Sequence, residues 1–223
     1  MMQKFQTPSP VTVVLDIPAG QIRLLAGERT DTTVEVLPSE ASKRRDAKAA
    51  AQTTVEFSGG VLRIATADPN KILGSSGSVD VTIALPAGSR IEGRAGAAEL
   101  YSTGRLGEVA FDGGYRAVEL DEVGGARIKM HMGDVSIAKL TGPAQLRNGK
   151  GDITVAEAVS GALDLRTDMG DLKVAAARGV SGTLDARSGY GRITNGLKNS
   201  EGAGAGLNIK ATTSHGDIIA TSL

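Results

Sequence analysis

Gly133-Asp134-Val135-Ser136-Ile137 returns as Gly151-Asp152-Ile153-Thr154-Val155, and again as Gly170-Asp171-Leu172-Lys173-Val174 and Gly216-Asp217-Ile218-Ile219-Ala220. The glycine is the fixed point. Working outward from these four, the same position is occupied by Gly77, Gly96, Gly114 and Gly191, with spacings of 19, 18, 19, 18, 19, 21 and 25 residues along the series. A constant period near 19 residues marks stacked supersecondary units. Apolar residues stand two and four places after most anchors. They also stand seven and five places before them, in Ala126/Ile128, Ala144/Leu146, Leu163/Leu165, Leu184/Ala186 and Ile209/Ala211. Both rows have period two, the pattern of a strand with one buried face. After Gly191 the row breaks, because Ile193 is followed by the polar Asn195.

Each unit therefore reads as two short strands separated by turns. Alone it cannot bury its apolar row; stacked on copies of itself it pairs every strand and fuses the rows into one core. The predicted fold is all-β, a parallel β-solenoid (β-helix) of about seven coils. In that stack Leu165 is expected between Leu146 and Ala186, with Arg166 facing outward. Residues 1–76 form an irregular β-rich N-terminal cap, and residues 77–223 carry the solenoid repeats, the whole being one continuous domain. Within the cap, Val61–Ala65 pairs with Thr53–Phe57 across Gly59-Gly60, and one short helix over Glu40–Gln52 is capped by Ser39. Lys43, Arg44, Arg45, Asp46 and Lys48 then lie on the wet face of that helix.

Composition agrees with this reading and excludes others. Of 223 residues 40% are hydrophobic but only 3% aromatic, so the core is aliphatic. The 30 glycines show no three-residue period, which excludes collagen, and six of them fall within residues 1–84. The absence of cysteine removes disulfides, thiol catalysis and Cys-ligated metals. Lys+Arg and Asp+Glu balance at 25 each, so charge does not argue for nucleic acid. No signal peptide or transmembrane segment is visible; the expected location is cytoplasmic, without membrane insertion.

The serial Gly-Asp-hydrophobic-x-hydrophobic units, together with Ile17-Pro18-Ala19-Gly20 and its echo Leu85-Pro86-Ala87-Gly88, resemble a bacterial family of adhesin-like proteins of unknown function. The resemblance covers nearly the whole chain. It implies a β-strand-repeat fold and an adhesive or envelope-related role, and it brings no catalytic residues.

Three features could carry chemistry. Asp134, Asp152 and Asp171, with Asp217 further on, would form a carboxylate column open to a hard cation. Asp after Gly more simply bonds backbone N–H groups in a turn, with Arg192 neutralising Asp171, so no metal or other cofactor is expected. Arg127, Lys129, Arg147 and Lys150 would form a basic patch for an anionic polymer or acidic protein. Gly216, Asp217, Ile218 and Ile219 belong to the last repeat, whose open end could pair with a second copy. Tyr101, Tyr115 and Tyr190 are too dispersed to hold sugar rings, and Gly202-Ala203-Gly204-Ala205-Gly206 leads into a strand rather than the helix a phosphate loop requires.

The reading that follows is a non-catalytic binding or scaffold protein, presenting solenoid faces to a protein or polymer partner. The alternative is a structural solenoid that self-assembles through its C-terminal coil. A polysaccharide-cleaving β-helix enzyme ranks third.

Overall fold

The computed structural model describes residues 2–67 and 77–223. The composition boundary at residue 76 lies outside the described residues. The chain divides into two compact units, Met1–Arg116 and Ala117–Leu223, so the division falls among the glycine repeats rather than ahead of them.

The first unit contains β1 (Met2–Gln6), β2 (Thr12–Gly27), β3 (Asp31–Pro38), α1 (Arg44–Gln52), β4 (Thr53–Ser58), β5 (Val61–Thr66), β6 (Val79–Pro86), β7 (Arg90–Thr103) and β8 (Arg105–Gly113). β2 runs through a corner at Pro18-Ala19-Gly20, so its two legs join two ladders. The first leg pairs in parallel with β5 on one side and β7 on the other. The second pairs in parallel with β6 and with the continuation of β7. Beyond β5 and β6 the direction reverses: β4 is antiparallel to β5, β3 to β6 and β1 to β3. Gly59 and Gly60, both at positive φ (58° and 78°), make the expected tight hairpin between β4 and β5. The corner needs glycine at position 20, where φ is 127° and a Cβ would lie 1.9 Å from the Val79 carbonyl oxygen.

The helix is shorter than predicted. It starts at Arg44, and its N-cap is Lys43, which makes no side-chain cap. Ser39 is used elsewhere, its hydroxyl donating to Asp80 Oδ1 (2.6 Å), which ties it to β6 and leaves it outside the helix. Asp46 is not on a wet face. It is buried and accepts the Ser78 N–H at 3.0 Å.

The second unit contains β9 (Ala117–Met132), β10 (Asp134–Leu140), β11 (Ala144–Lys150), β12 (Ile153–Ala158), β13 (Gly161–Met169), β14 (Leu172–Ala176), β15 (Gly182–Tyr190), β16 (Ile193–Gly196), β17 (Leu207–His215) and β18 (Ile218–Ser222). Among the described residues every strand pairing within it is parallel. One ladder runs from the second half of β9 through β11, β13 and β17 to β15. The other runs from the first half of β9 through β10, β12, β14 and β18 to β16. These ladders make the architecture all-β and solenoid-like.

The order differs from chain order at one place. The last repeat, β17–β18, is inserted between β13–β14 and β15–β16. Leu165 accordingly stacks between Leu146 and Ala211, not Ala186. Ile218 and Ile219 do not form an open end, since β18 is paired on both sides, with β14 and with β16. Burial accounts for the exchange. Leu207, Ile209, Ala211, Ile218 and Ala220 are all buried in the interior position. The poorer row of β15–β16 takes the edge, where Leu184 and Ala186 are half-buried and Ile193 and Asn195 exposed. The longer spacings around Gly191 supply the chain needed to pass the edge coil and return, including the single 3-10 turn at Gly202–Gly204.

Candidate functional site

The Gly-Asp turns form a ladder of their own in the second unit. The Asp134 carboxylate accepts the N–H of Asp152, Asp152 that of Asp171, Asp171 that of Asp217, and Asp217 that of Arg192, each at 2.8 Å. The predicted column exists, and every carboxylate in it holds a backbone donor. Arg192 does not meet Asp171; it lies 3.4 Å from Asp217, while Lys173 approaches Asp171 at 3.4 Å and Asp152 at 3.8 Å. The Arg192 N–H holds the Asp217 carboxyl below its ordinary value of 3.8. Arg192 can donate to the ladder but has no carboxylate to extend it. Among the described residues no group of three or more acidic or histidine side chains is arranged to hold a metal ion.

Behind these turns runs a second ladder. Asn148 donates to the Gly133 carbonyl (2.6 Å), Thr167 to that of Gly151 (3.1 Å), Thr213 to that of Gly170 (3.0 Å) and Ser188 to that of Gly216 (2.9 Å). The turn glycines thus have their carbonyls satisfied by the neighbouring coil, as buried backbone requires. These polar residues occupy inward positions that period-two reading would fill with apolar side chains.

The basic residues stand on the outer face of the first ladder of this unit. Lys129 is in register with Arg147, and Arg147 with Arg166; Arg127 stands opposite Gln145, and Gln145 opposite Asp164. Arg127, Lys129 and Arg147 are exposed neighbours on β9 and β11, with exposed Lys150 at the corner where β11 ends. Among the described residues Arg127, Lys129 and Lys150 make no ion pair, and Arg147 reaches Asp164 only at 3.9 Å. Further along, Arg166 lies 3.9 Å from Asp168.

Beside the basic row runs a corner column that sequence reading missed. Met132, Lys150, Met169, His215 and Tyr190 are in register across β9, β11, β13, β17 and β15. Met132, Met169 and Tyr190 are 45%, 50% and 74% exposed, and the Tyr190 ring stacks on His215 at 5.0 Å. The signal is present in the residue directly before each anchor glycine from Gly133 onward. Met is an adaptable contact residue and Tyr an amphipathic one, which suits a surface made to be covered.

The model of one protein family, Toastrack DUF4097, matches residues 11–221. Among solved structures, a candidate adhesin from Bacteroides fragilis is similar at a TM-score of 0.60 and 14% identity, over 100% of this chain and 96% of that one. A candidate cell adhesion protein from Clostridium sporogenes aligns at a TM-score of 0.48 and 15% identity, over 100% and 99% of the two chains. A candidate lipid-binding protein from Parabacteroides distasonis aligns at 0.48 and 11%, over 100% and 94%. The first likeness is one of fold. No curated protein matches the chain.

Proposed function

The chain belongs to the Toastrack family, and from that premise we propose that it is a non-catalytic binding module whose second unit presents a basic face to an anionic polymer or an acidic protein surface. One observation carries the reading: Arg127, Lys129, Arg147 and Lys150 lie together on two adjacent strands, and among the described residues no carboxylate comes closer than the 3.9 Å contact of Asp164 with Arg147. Exposed charges with full partners would add little to binding; unpaired ones add attraction to an opposite charge, screened over roughly 8 Å at physiological salt. Met132 and Met169 border the patch and supply apolar contact. The adhesin-like naming of the relatives agrees with a binding role. The tying of the turn carboxylates to backbone donors speaks against acid–base catalysis there. The same reading counts about seven coils and takes residues 1–76 as their terminal cap.

Co-sedimentation with heparin and with polyglutamate, against neutral dextran, tests it. The intact protein should bind both polyanions at low salt and release them as salt rises, and a Lys129→Glu/Arg147→Glu variant with unchanged circular dichroism should bind neither. Failure of the intact protein to bind either polyanion at low salt would overturn the proposal.

A further inference from the structure

The outer edge of the second unit is the strand β15, and its unpaired side has a chemistry that fits one partner. Among the described residues β15 pairs with β17 alone in its ladder. The direction of its backbone groups follows from the hydrogen bonds at its start: Leu207 N–H donates to the Ser181 carbonyl at 3.3 Å, and Gly161 N–H donates to Gly206 across the other side of β17 at 2.9 Å. In a parallel ladder both groups of a residue point to the same side, alternating along the strand. Thr183, Asp185 and Arg187 therefore face β17 with their N–H and C=O groups, while Leu184 and Ala186 face the open side. Among the described residues only the start of that side is hydrogen-bonded, where Gly182 donates to the Lys198 carbonyl at 3.1 Å.

The side chains flanking Ala186 are of opposite charge. Asp185 and Arg187 are both exposed on the outer face, and neither has an ion-pair partner among the described residues. We infer that β15 pairs with β15 of a second copy of this chain, antiparallel and centred on Ala186. A two-fold centre can fall on a hydrogen-bonded or a non-hydrogen-bonded pair. Centring on Asp185 or Arg187 would oppose like charges, whereas Ala186, whose backbone groups face the partner, opposes unlike ones. In this register the two Ala186 residues exchange both hydrogen bonds, and Asp185 of each copy stands directly opposite Arg187 of the other. Directly opposed residues share a face, and opposite charges there attract. The symmetry doubles each contact, as in any isologous interface. On the inner face Ala186 stands against itself and Leu184 against Ser188.

The inference differs from pairing through Gly216–Ile219, which the inserted last repeat makes impossible. It is independent of the basic patch, which lies on β9 and β11 at the far side of the same ladder.

Sedimentation velocity on the full chain at micromolar concentrations tests it. The intact protein should show a concentration-dependent dimer. Asp185→Arg and Arg187→Asp each place two like-charged pairs across the centre and should weaken the dimer by about tenfold or more. An equimolar mixture of these two variants restores opposite charges at both positions, so it should recover the dimer as a heterodimer. Ala186→Pro, which deletes the central donor, should be monomeric with an unchanged circular dichroism spectrum. A monomeric intact chain up to about 100 µM, a dimer indifferent to both charge reversals, or a mixture that stays monomeric would each overturn the proposed pairing.

Discussion

The two units handle the edges of their ladders in opposite ways. In the first, the parallel ladders give way to antiparallel strands, and β1 and β4 meet through the tilted ring contact of Phe5 with Phe57 at 5.4 Å. In the second, the ladders stop at β15 and β16 with no reversal of direction, and Tyr190 and Ile193 stand exposed at that edge. A sheet edge must be covered, charged or paired, because its free N–H and C=O groups are a template for another chain. The first unit covers the β5 and β6 edges of its parallel ladders with antiparallel strands of its own chain. The second leaves a strand edge open, which the proposed pairing would cover with a second copy.

The contrast between interior and edge coils of the second unit breaks most sharply at Leu165. This residue is 0% exposed, and Leu165→Asp buries an unpaired charge, so loss of the cooperative melting transition of this unit is expected by circular dichroism. Leu184→Asp, on the same inward row of the edge coil, should leave a folded protein with a lowered midpoint. Equal losses for the two would contradict the order in which β17 separates β13 from β15.

The inserted turn gives the next largest effect. Gly216 has φ of 149°, and a Cβ there would stand 1.9 Å from the Gly170 carbonyl oxygen. Gly216→Ala should cost on the order of 3 kcal/mol or more in urea unfolding, from strain and displaced backbone together. Gly204→Ala, where a Cβ meets nothing within 4 Å, should change the midpoint hardly at all.

Acid separates the units by smaller steps. Asp31 is held at about 2, from an ordinary 3.8, by hydrogen bonds from Arg29 and then Lys4; Asp217 is lowered by the Arg192 N–H. A carboxyl depressed in the folded state contributes stability that is complete above its unfolded value and is lost as pH falls through the folded one. Urea midpoints should therefore decline below pH 3.8, and Asp31→Asn should flatten that decline between pH 3.8 and about 2. A decline identical with and without Asp31 would show that its ion pairs do not persist in solution. The smallest effect belongs to Arg166→Ala on the solvated face, expected within about 0.5 kcal/mol of the parent in the same assay.

Much of this architecture is legible in the sequence. The glycine period located the turns, period-two alternation located the strands, and Gly59-Gly60 located the hairpin. The misreadings have local causes. Ser39 looked like a helix cap because its role in bonding Asp80 depends on a strand some forty residues away. Asn148, Thr167 and Thr213 broke the apolar row because they serve the turn glycines of the adjacent coil, a partner no sequence window contains. The basic residues could be placed on one face from their spacing alone. The Met132–Tyr190 corner column could not be valued, since exposure at a turn depends on how the turn is wound.

The sequence by itself determined the repeat, the turn chemistry and the identity of the buried row, because each follows from the conformational limits of glycine and the period of a strand. It even carried the terminator of the ladder, Arg192 where the other anchor turns of the second unit have aspartate. What only the tertiary structure decided was the order of the coils. Every Gly-Asp turn can accept the next one equally well, so local matching is degenerate between Gly191 and Gly216. The choice rests on the whole stack. Placing Leu207, Ile209 and Ile218 between two neighbours removes more apolar surface from water than placing Leu184, Ala186 and Ile193 there, and the coil with Asn195 is left to the solvent.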